Sequence, residues 1–363
     1  MRSQLLDRYL LREGLSAWAG VTVVLLAIML ATRFARFLAE AAAGALPREF
    51  LFKVVALSSL QYLVILIPVS LLLAILLSLG RLYRDQEITA MTGCGAGPGA
   101  LYRPFLVLAV GVAALTAALS FQIGPWAGRQ ADLLFKDAQR LVQFTPFDPG
   151  RFKEVAGGRA VFYTARLNET GGDLDTVFAR IEETRGASIV TAQRGSQSLD
   201  ASTGERVVRL EQGYRYTGEP GRADFDIVKF ESLITRVAPP QMLPLSSKRK
   251  IADTAQLLGS DDPRDQAELQ WRIAAPVSVL LLALLAVPLA YATPREGRYG
   301  KLVFGILAYL VYTNLLALGQ AWIAKGVAPA ALGLWWVHAL TALMTVALIA
   351  RRMGWRLSFR ANP

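Results

Sequence analysis

Six stretches of this chain are apolar over lengths that let a helix cross a bilayer, which takes about 20 residues. They are Leu15–Thr32, Val54–Gly80, Phe105–Ile123, Ile273–Ala292, Leu302–Ala324 and Ala330–Ala350. The first two carry no charge, and Pro68 interrupts the second while Pro276 and Pro288 interrupt the fourth. Inside a bilayer each backbone N–H and C=O must find a partner within the protein, so stretches of this kind fold as helices. Leu15–Thr32 has no small-residue cleavage site followed by a mature soluble chain, and it reads as a retained helix. A polytopic membrane protein follows, and a wholly soluble enzyme does not.

Composition agrees: hydrophobic residues make up 53% of the 363, charged residues 18%, and the mean hydropathy is +0.37. The net charge of +11 raises the question of nucleic acid. Residues 124–267, however, hold 20 basic and 20 acidic side chains, so the whole excess lies among the apolar segments. Basic flanks of membrane spans have that distribution, and a nucleic-acid face does not. With both termini on one side, the short loops of that side carry 12 Lys/Arg, against 5 on the other. Cytoplasmic loops hold the excess, so both termini are expected in the cytoplasm and the long segment between the third and fourth spans outside it. Trp322, Trp335 and Trp336 then fall near the outer ends of the last two spans, where aromatic belts form.

One cysteine, Cys94, excludes an intrachain disulfide framework and multi-cysteine metal or iron–sulfur sites. One histidine, His338, lies in an apolar span with no acidic residue near it in sequence, and packing within a helix bundle is the expected role. No metal, cofactor or catalytic triad is expected. Gly93–Gly99 (GCGAGPG) lacks the Lys-Ser/Thr pair and the preceding strand of a phosphate loop. It reads as a helix stop followed by a re-entry turn.

The long segment alternates as half-buried strands do. Ala160–Leu167, Thr176–Glu182, Arg206–Leu210, Gly213–Thr217 and Phe225–Thr235 are the expected strands, with Val177, Ala179 and Ile181 sharing a face. Turns are expected at Gly157-Gly158, Asn168–Asp173, Gly204 and Gly218–Gly221, and Pro239, Pro240 and Pro244 close the region. Short strands with glycine turns argue for a sandwich, jelly roll or barrel. The expected fold class is therefore an α+β membrane protein: six transmembrane helices with an outer all-β domain, a sandwich, jelly roll or barrel, inserted between helices three and four. Residues 1–124 would hold the first three spans with a cytoplasmic helix near 81–95, residues 125–250 the β-domain, and residues 251–363 a linker helix and the last three spans. The basic run Lys248-Arg249-Lys250 is expected to be a solvated face.

Three patterns are candidates for function. In Gly80–Gly93 (GRLYRDQEITAMTG), Ile88 and Met91 are three apart beside Asp85 and Glu87. This suits a short amphipathic helix with an acidic tip, either docking on a partner or simply solvated. Arg33 and Arg36 are also three apart, hence on one helix face, at the outer end of the first span. They are either interfacial anchors or an anion clamp whose forks match phosphate. Tyr309, Tyr312, Thr313 and Gln320, with Asn314 adjoining, form a polar stripe on the fifth span, which should face protein or a cavity rather than lipid.

The order of three spans, outer β-domain and three spans resembles the LptF/LptG family, the permease subunits of the lipopolysaccharide-export ABC transporter. The resemblance is carried by Leu79–Gly95 (LGRLYRDQEITAMTGCG), Asp148–Leu167 (DPGRFKEVAGGRAVFYTARL), Ala267–Ile273 (AELQWRI) and Val287–Arg298 (VPLAYATPREGR), over about Asp7 to Arg352. The last two motifs look more like the F-type subunit than the G-type. The resemblance implies a heterodimer with a second, LptG-like permease, driven by an LptB-like cytoplasmic ATPase dimer. It implies that lipopolysaccharide enters from the outer leaflet of the inner membrane and passes through β-jellyroll domains to an LptC/LptA-like periplasmic bridge. Glu87, with Ile88 and Met91, matches the ATPase-coupling position, and Arg33 and Arg36 match basic residues that contact the lipid headgroup. Neither nucleic acid nor a cofactor is implied. Two other classes compete: a membrane-anchored periplasmic receptor or scaffold without transport, and an intramembrane enzyme, for which the spans hold no nucleophile or metal pair.

Overall fold

The computed structural model describes residues 2–42, 48–97, 99–143, 149–155, 160–168, 173–183, 186–199, 206–218, 225–237, 247–291, 298–330 and 332–352. Turn residues expected at Gly157, Gly158, Gly204 and Gly221, the three prolines at 239, 240 and 244, and part of the Val287–Arg298 motif lie outside the described residues.

Helices α1 (Arg2–Ala42) and α2 (Arg48–Arg84) are followed by the short α3 (Glu87–Gly93) and by α4 (Gly99–Ala118). A π-helical turn, Leu119–Ile123, leads without a break into α5 (Gly124–Gln143). Gly124 makes this turn possible: its N–H bonds the Leu119 carbonyl, and a Cβ there would lie 2.7 Å from that oxygen. Strands β1 (Lys153–Val155), β2 (Ala160–Leu167), β3 (Asp173–Glu183), β4 (Gly186–Leu199), β5 (Arg206–Gly218) and β6 (Asp226–Val237) come next. The chain then forms α6 (Lys248–Ile251), α7 (Thr254–Leu258), α8 (Pro263–Leu289), α9 (Arg298–Ala324) and α10 (Trp335–Arg352). Alternation typical of strands starts only at β1, and residues 124–143 ahead of it are the helix α5.

Among the described residues, five helical stretches are long and apolar enough to cross a membrane: Gln4–Ala39, Phe52–Arg84, Gly99–Asp137, Pro263–Leu289 and Gly300–Ala324. Trp335–Arg351 is apolar and shorter. The molecule is thus an α+β membrane protein with several apolar helices and an antiparallel sheet. It divides into two compact units, one of Met1–Ala39, Leu51–Leu133 and Leu245–Pro363, the other of Glu40–Phe50 and Leu134–Pro244.

The helical unit is cored on α2, α4 and α8. Leu71, Leu72, Ile75, Leu79 and Leu82 of α2 meet Phe105 and Ala109 of α4 and Val279, Leu282 and Ala286 of α8, all buried. Burial differs sharply between spans: 61% of the apolar window of α2 is buried but only 6% of that of α1. An apolar face that the chain itself leaves uncovered has lipid or another protein as its solvent.

In the second unit all strands pair antiparallel in sequence order, β1 to β6. No crossover occurs among the described residues. A crease runs across the sheet. Pairing lapses between Arg166↔Asp175 and Thr164↔Val177, between Asp175↔Arg194 and Val177↔Ala192, and between Arg194↔Glu211 and Ala192↔Gly213. Thr176 and Gln212 on that line have positive φ, 51° and 53°. Each strand skips one pair there while the register on either side is unchanged, and the alternation shifts by one in adjacent strands together. Buried residues accordingly change parity across it, from Leu174 to Val177 and Ala179, and from Val208 and Leu210 to Gly213. One apolar face survives the bend, formed by Phe162, Leu174, Val177, Ala179, Val190, Ala192, Val208 and Leu210. Beside the crease on the other face, Arg166, Asp175, Arg194 and Glu211 pair across four strands with alternating sign.

Candidate functional site

The loop helix α3 is defined by its two ends. Gln86 turns the chain sharply in the left-handed region, φ 62°, and helix begins at Glu87. At the other end Gly95, φ 88°, donates to the Thr92 carbonyl and Ala96 to the Met91 carbonyl. This is a Schellman closure, which needs a residue free of Cβ strain at the left-handed position. The glycine run Gly93–Gly97 is a helix stop, and α4 begins at Gly99.

Ile88 is 3% exposed and packs into the helical core, with Met91 half-buried against it. These two side chains face this chain's own bundle. Glu87, Thr89, Ala90 and Thr92 make up the accessible side. Glu87 is half-buried. Its Oε2 accepts a 2.6 Å hydrogen bond from the Tyr9 hydroxyl, and its Oε1 lies 3.8 Å from an Arg81 nitrogen. The same Arg81 nitrogen pairs with Glu13 at 3.2 Å and bonds the Tyr9 oxygen at 3.3 Å. Three helices therefore converge on the acidic tip, which the local sequence around residue 87 does not reveal.

Arg33 stacks its guanidinium 3.6 Å from the centre of the Tyr62 ring, a cation–π contact between α1 and α2. Arg36 is exposed. Arg33 and Arg36 belong to one end of α1, and Glu87 sits against the other end through Tyr9.

The polar stripe of α9 turns inward in part. Tyr312 bonds Ser278 Oγ at 2.7 Å and His338 Nδ1 at 2.8 Å, and Ser278 donates to the Ala274 carbonyl. Tyr312 thus links Ser278 of α8 to His338 of α10. Tyr309 donates to the Ile65 carbonyl. Thr313 and Asn314 bond carbonyls of their own helix. His338 is thus a buried bundle histidine. A cavity of about 110 Å³, walled by Ile65, Pro68, Trp271, Tyr309 and Leu316 among others, separates α2, α8 and α9.

A second polar cluster centres on Arg272, which is 2% exposed. Its guanidinium pairs with Glu268 at 3.3 Å, bonds Thr254 Oγ1 at 2.8 Å, and caps the carbonyls of Arg249, Lys250 and Ala252. Thr254 in turn donates to the Phe121 carbonyl within the π-turn, at 2.7 Å, and Ser120 donates to the Arg272 carbonyl. Arg129 bonds both Asp253 and the Ile251 carbonyl. The basic run at 248–250, expected to be only solvated, is therefore structural at Arg249, which pairs with Asp262 and Asp265. The Asp262 carboxyl is held below the usual carboxylate range by the backbone N–H of Arg264 and then by Arg249. Among the described residues no group of three or more His, Cys, Asp and Glu side chains converges as a metal site would require.

An apolar helical bundle with an acidic-tipped loop helix and an inserted antiparallel sheet is the build of a multi-span membrane protein. Within that class, the chain belongs to the family of the lipopolysaccharide export system permease LptF/LptG, whose sequence model matches residues 8–351. It is similar to the lipopolysaccharide export system permease protein LptF of Escherichia coli (strain K12), 29% identical over 348 residues, which cover 94% of this chain and 93% of that protein. The same protein from Shigella flexneri is similar to the same extent. The chain is a permease subunit of a lipopolysaccharide export transporter.

Proposed function

We propose that this chain is the F-type half of a permease heterodimer in the bacterial inner membrane, with six spans, both termini cytoplasmic and the β-domain periplasmic. Residues 1–124 form the first three spans with the docking helix, 125–250 the helix α5 that continues the third span and then the jellyroll-like domain, and 251–363 the linker and last three spans. ATP is hydrolysed on a separate LptB-like ATPase dimer. Lipopolysaccharide is extracted from the outer leaflet, passes along the apolar face of the creased sheet, and leaves to an LptC/LptA-like bridge. The excess of basic residues on one set of short loops supports this orientation. The uncovered apolar face of α1 supports a second, LptG-like permease as neighbour. At the outer end of α1, Arg33 and Arg36 bind lipopolysaccharide phosphates, with the Tyr62 ring fixing the plane of the Arg33 guanidinium.

The observation that carries the energy-coupling part is the presentation of Glu87. Ile88 and Met91 anchor α3 to its own bundle, so the helix offers a rigidly held carboxylate rather than an apolar face. A basic groove on the ATPase is its complement, since removing one partner of a partly buried charged pair costs about 2–5 kcal/mol. The test is co-purification of the ATPase with the permease pair. Glu87→Ala should weaken docking, and Glu87→Arg should weaken it further by adding repulsion, with membrane insertion intact in both. Wild-type ATPase yield and full ATP turnover with Glu87→Arg would reject this role.

A further inference from the structure

We propose that Tyr9 and Arg81 are positioning residues that fasten the docking helix α3 to α1, so that α3, when the ATPase moves it, carries α1 along. The inference rests on the docking role proposed for Glu87 and says what that docking moves. Four side chains from three helices make the fastening. Tyr9 and Glu13 stand one turn apart on α1, Arg81 ends α2, and Glu87 opens α3. The Tyr9–Glu87 bond, at 2.6 Å between a hydroxyl and a carboxylate, lies in the short range of charge-assisted hydrogen bonds. It joins residues 78 apart in sequence, so no local helix requirement explains it.

The fastening is also incomplete as it stands. Glu87 Oε1 stops at 3.8 Å from Arg81 Nη2, beyond hydrogen-bond distance, while that nitrogen already serves Glu13 and Tyr9. A shift of α3 toward Arg81 by about 1 Å would bring Glu87 within hydrogen-bond distance and tighten the grip on α1.

What α1 then does follows from its shape and packing. It runs without proline from Arg2 to Ala42, and at 1.5 Å per residue Tyr9 and Arg33 are about 36 Å apart along one rod. Little of its apolar window is buried, so a shift breaks few packing contacts. Between the two ends it is pinned to α2 by Trp18 Nε1 and Thr22 Oγ1, both on Ser70 Oγ at 3.0 Å. A rod gripped at one end and pinned midway passes a push to its far end, where the Arg33–Tyr62 stack is the contact with α2 that must give.

The experiment uses the full complex of both permeases and the ATPase in proteoliposomes loaded with lipopolysaccharide. It reads ATPase bound per permease, ATP hydrolysed, and lipopolysaccharide released to the bridge protein per ATP. Tyr9→Phe, which removes one oxygen, should leave ATPase binding at the wild-type level and lower release per ATP by about tenfold, the scale of one lost charge-assisted hydrogen bond. Arg81→Gln should do likewise, and the double variant should be no worse than the more severe single one, because the residues act as one unit. Unchanged release per ATP in both single variants would overturn the proposal. So would loss of ATPase binding in Tyr9→Phe, which would make Tyr9 part of the docking surface. Failure of the docking role shows separately, as ATPase binding retained by Glu87→Arg. In that event release per ATP in Tyr9→Phe still decides whether α3 is fastened to α1.

Discussion

Arginines 33 and 36 show how much of a residue's role depends on a neighbour remote in sequence. Their spacing and their place at a span end are visible in the chain, but Tyr62, which orients Arg33, lies on the next helix, and no local pattern pairs them. A guanidinium stacked on a ring keeps its fork facing away from that ring, ready for a bidentate anion. A snorkelling anchor needs charge alone, so lysine should replace it. Photo-crosslinking to lipopolysaccharide from neighbouring α1 positions is therefore expected to fall from wild type to double Lys, then double Ala, then double Glu. Crosslinking by the double-Glu protein at the wild-type level would leave the two arginines as anchors only. The same limit applies to Tyr312. Its stripe on α9 is legible as a face that must avoid lipid, while its partners Ser278 and His338 come from α8 and α10.

Among the elements, the joint made by α6, α7, the π-turn and α8 depends on Arg272. Its guanidinium supplies donors to three carbonyls and a threonine while balancing Glu268. Removing it strands a buried carboxylate and uncaps α6, and breaking a buried pair from one side costs about 3–5 kcal/mol. Arg272→Ala is expected to lower the thermal stability of the detergent-purified protein by that order. Arg272→Lys should recover only part of it, since an ammonium cannot span the same acceptors. A melting curve of Arg272→Ala superimposed on that of wild type would refute the assignment. None of this joint is legible in Lys248-Arg249-Lys250, because a charge run looks alike whether solvated or paired; the carboxylate that accepts from Arg249 lies 13 residues away and the guanidinium that donates to its carbonyl lies 23 away. The strands follow the same logic. Alternation identifies β2, much of β3 and β6. It divides β5 into Arg206–Leu210 and Gly213–Thr217, because Gln212 shifts the parity in the middle of one continuous strand. β4 (GASIVTAQRGSQSL) escapes notice: its small and polar residues alternate weakly, and its place in the sheet comes from pairing with β3 and β5.

For the molecule as a whole, the apolar stretches declare a membrane protein of several spans at once, since the bilayer leaves the backbone few options. Which side each loop occupies rests on charge alone. Reporter fusions at residues 90 and 297 should signal cytoplasm and one at residue 200 periplasm; a cytoplasmic signal at 200 would overturn the architecture. Helix α1 runs between the two candidate sites, with Arg33 and Arg36 near one end and Tyr9, held by the acidic tip of α3, near the other. The most direct measurement of the central claim is ATP-dependent release of lipopolysaccharide from proteoliposomes holding this chain, its partner permease and the ATPase. Release is expected with the wild-type chain and is expected to be lost, together with ATPase binding, with Glu87→Arg. Equal release from the wild-type and Glu87→Arg complexes, or none from the wild-type complex with ATP present, would contradict the account.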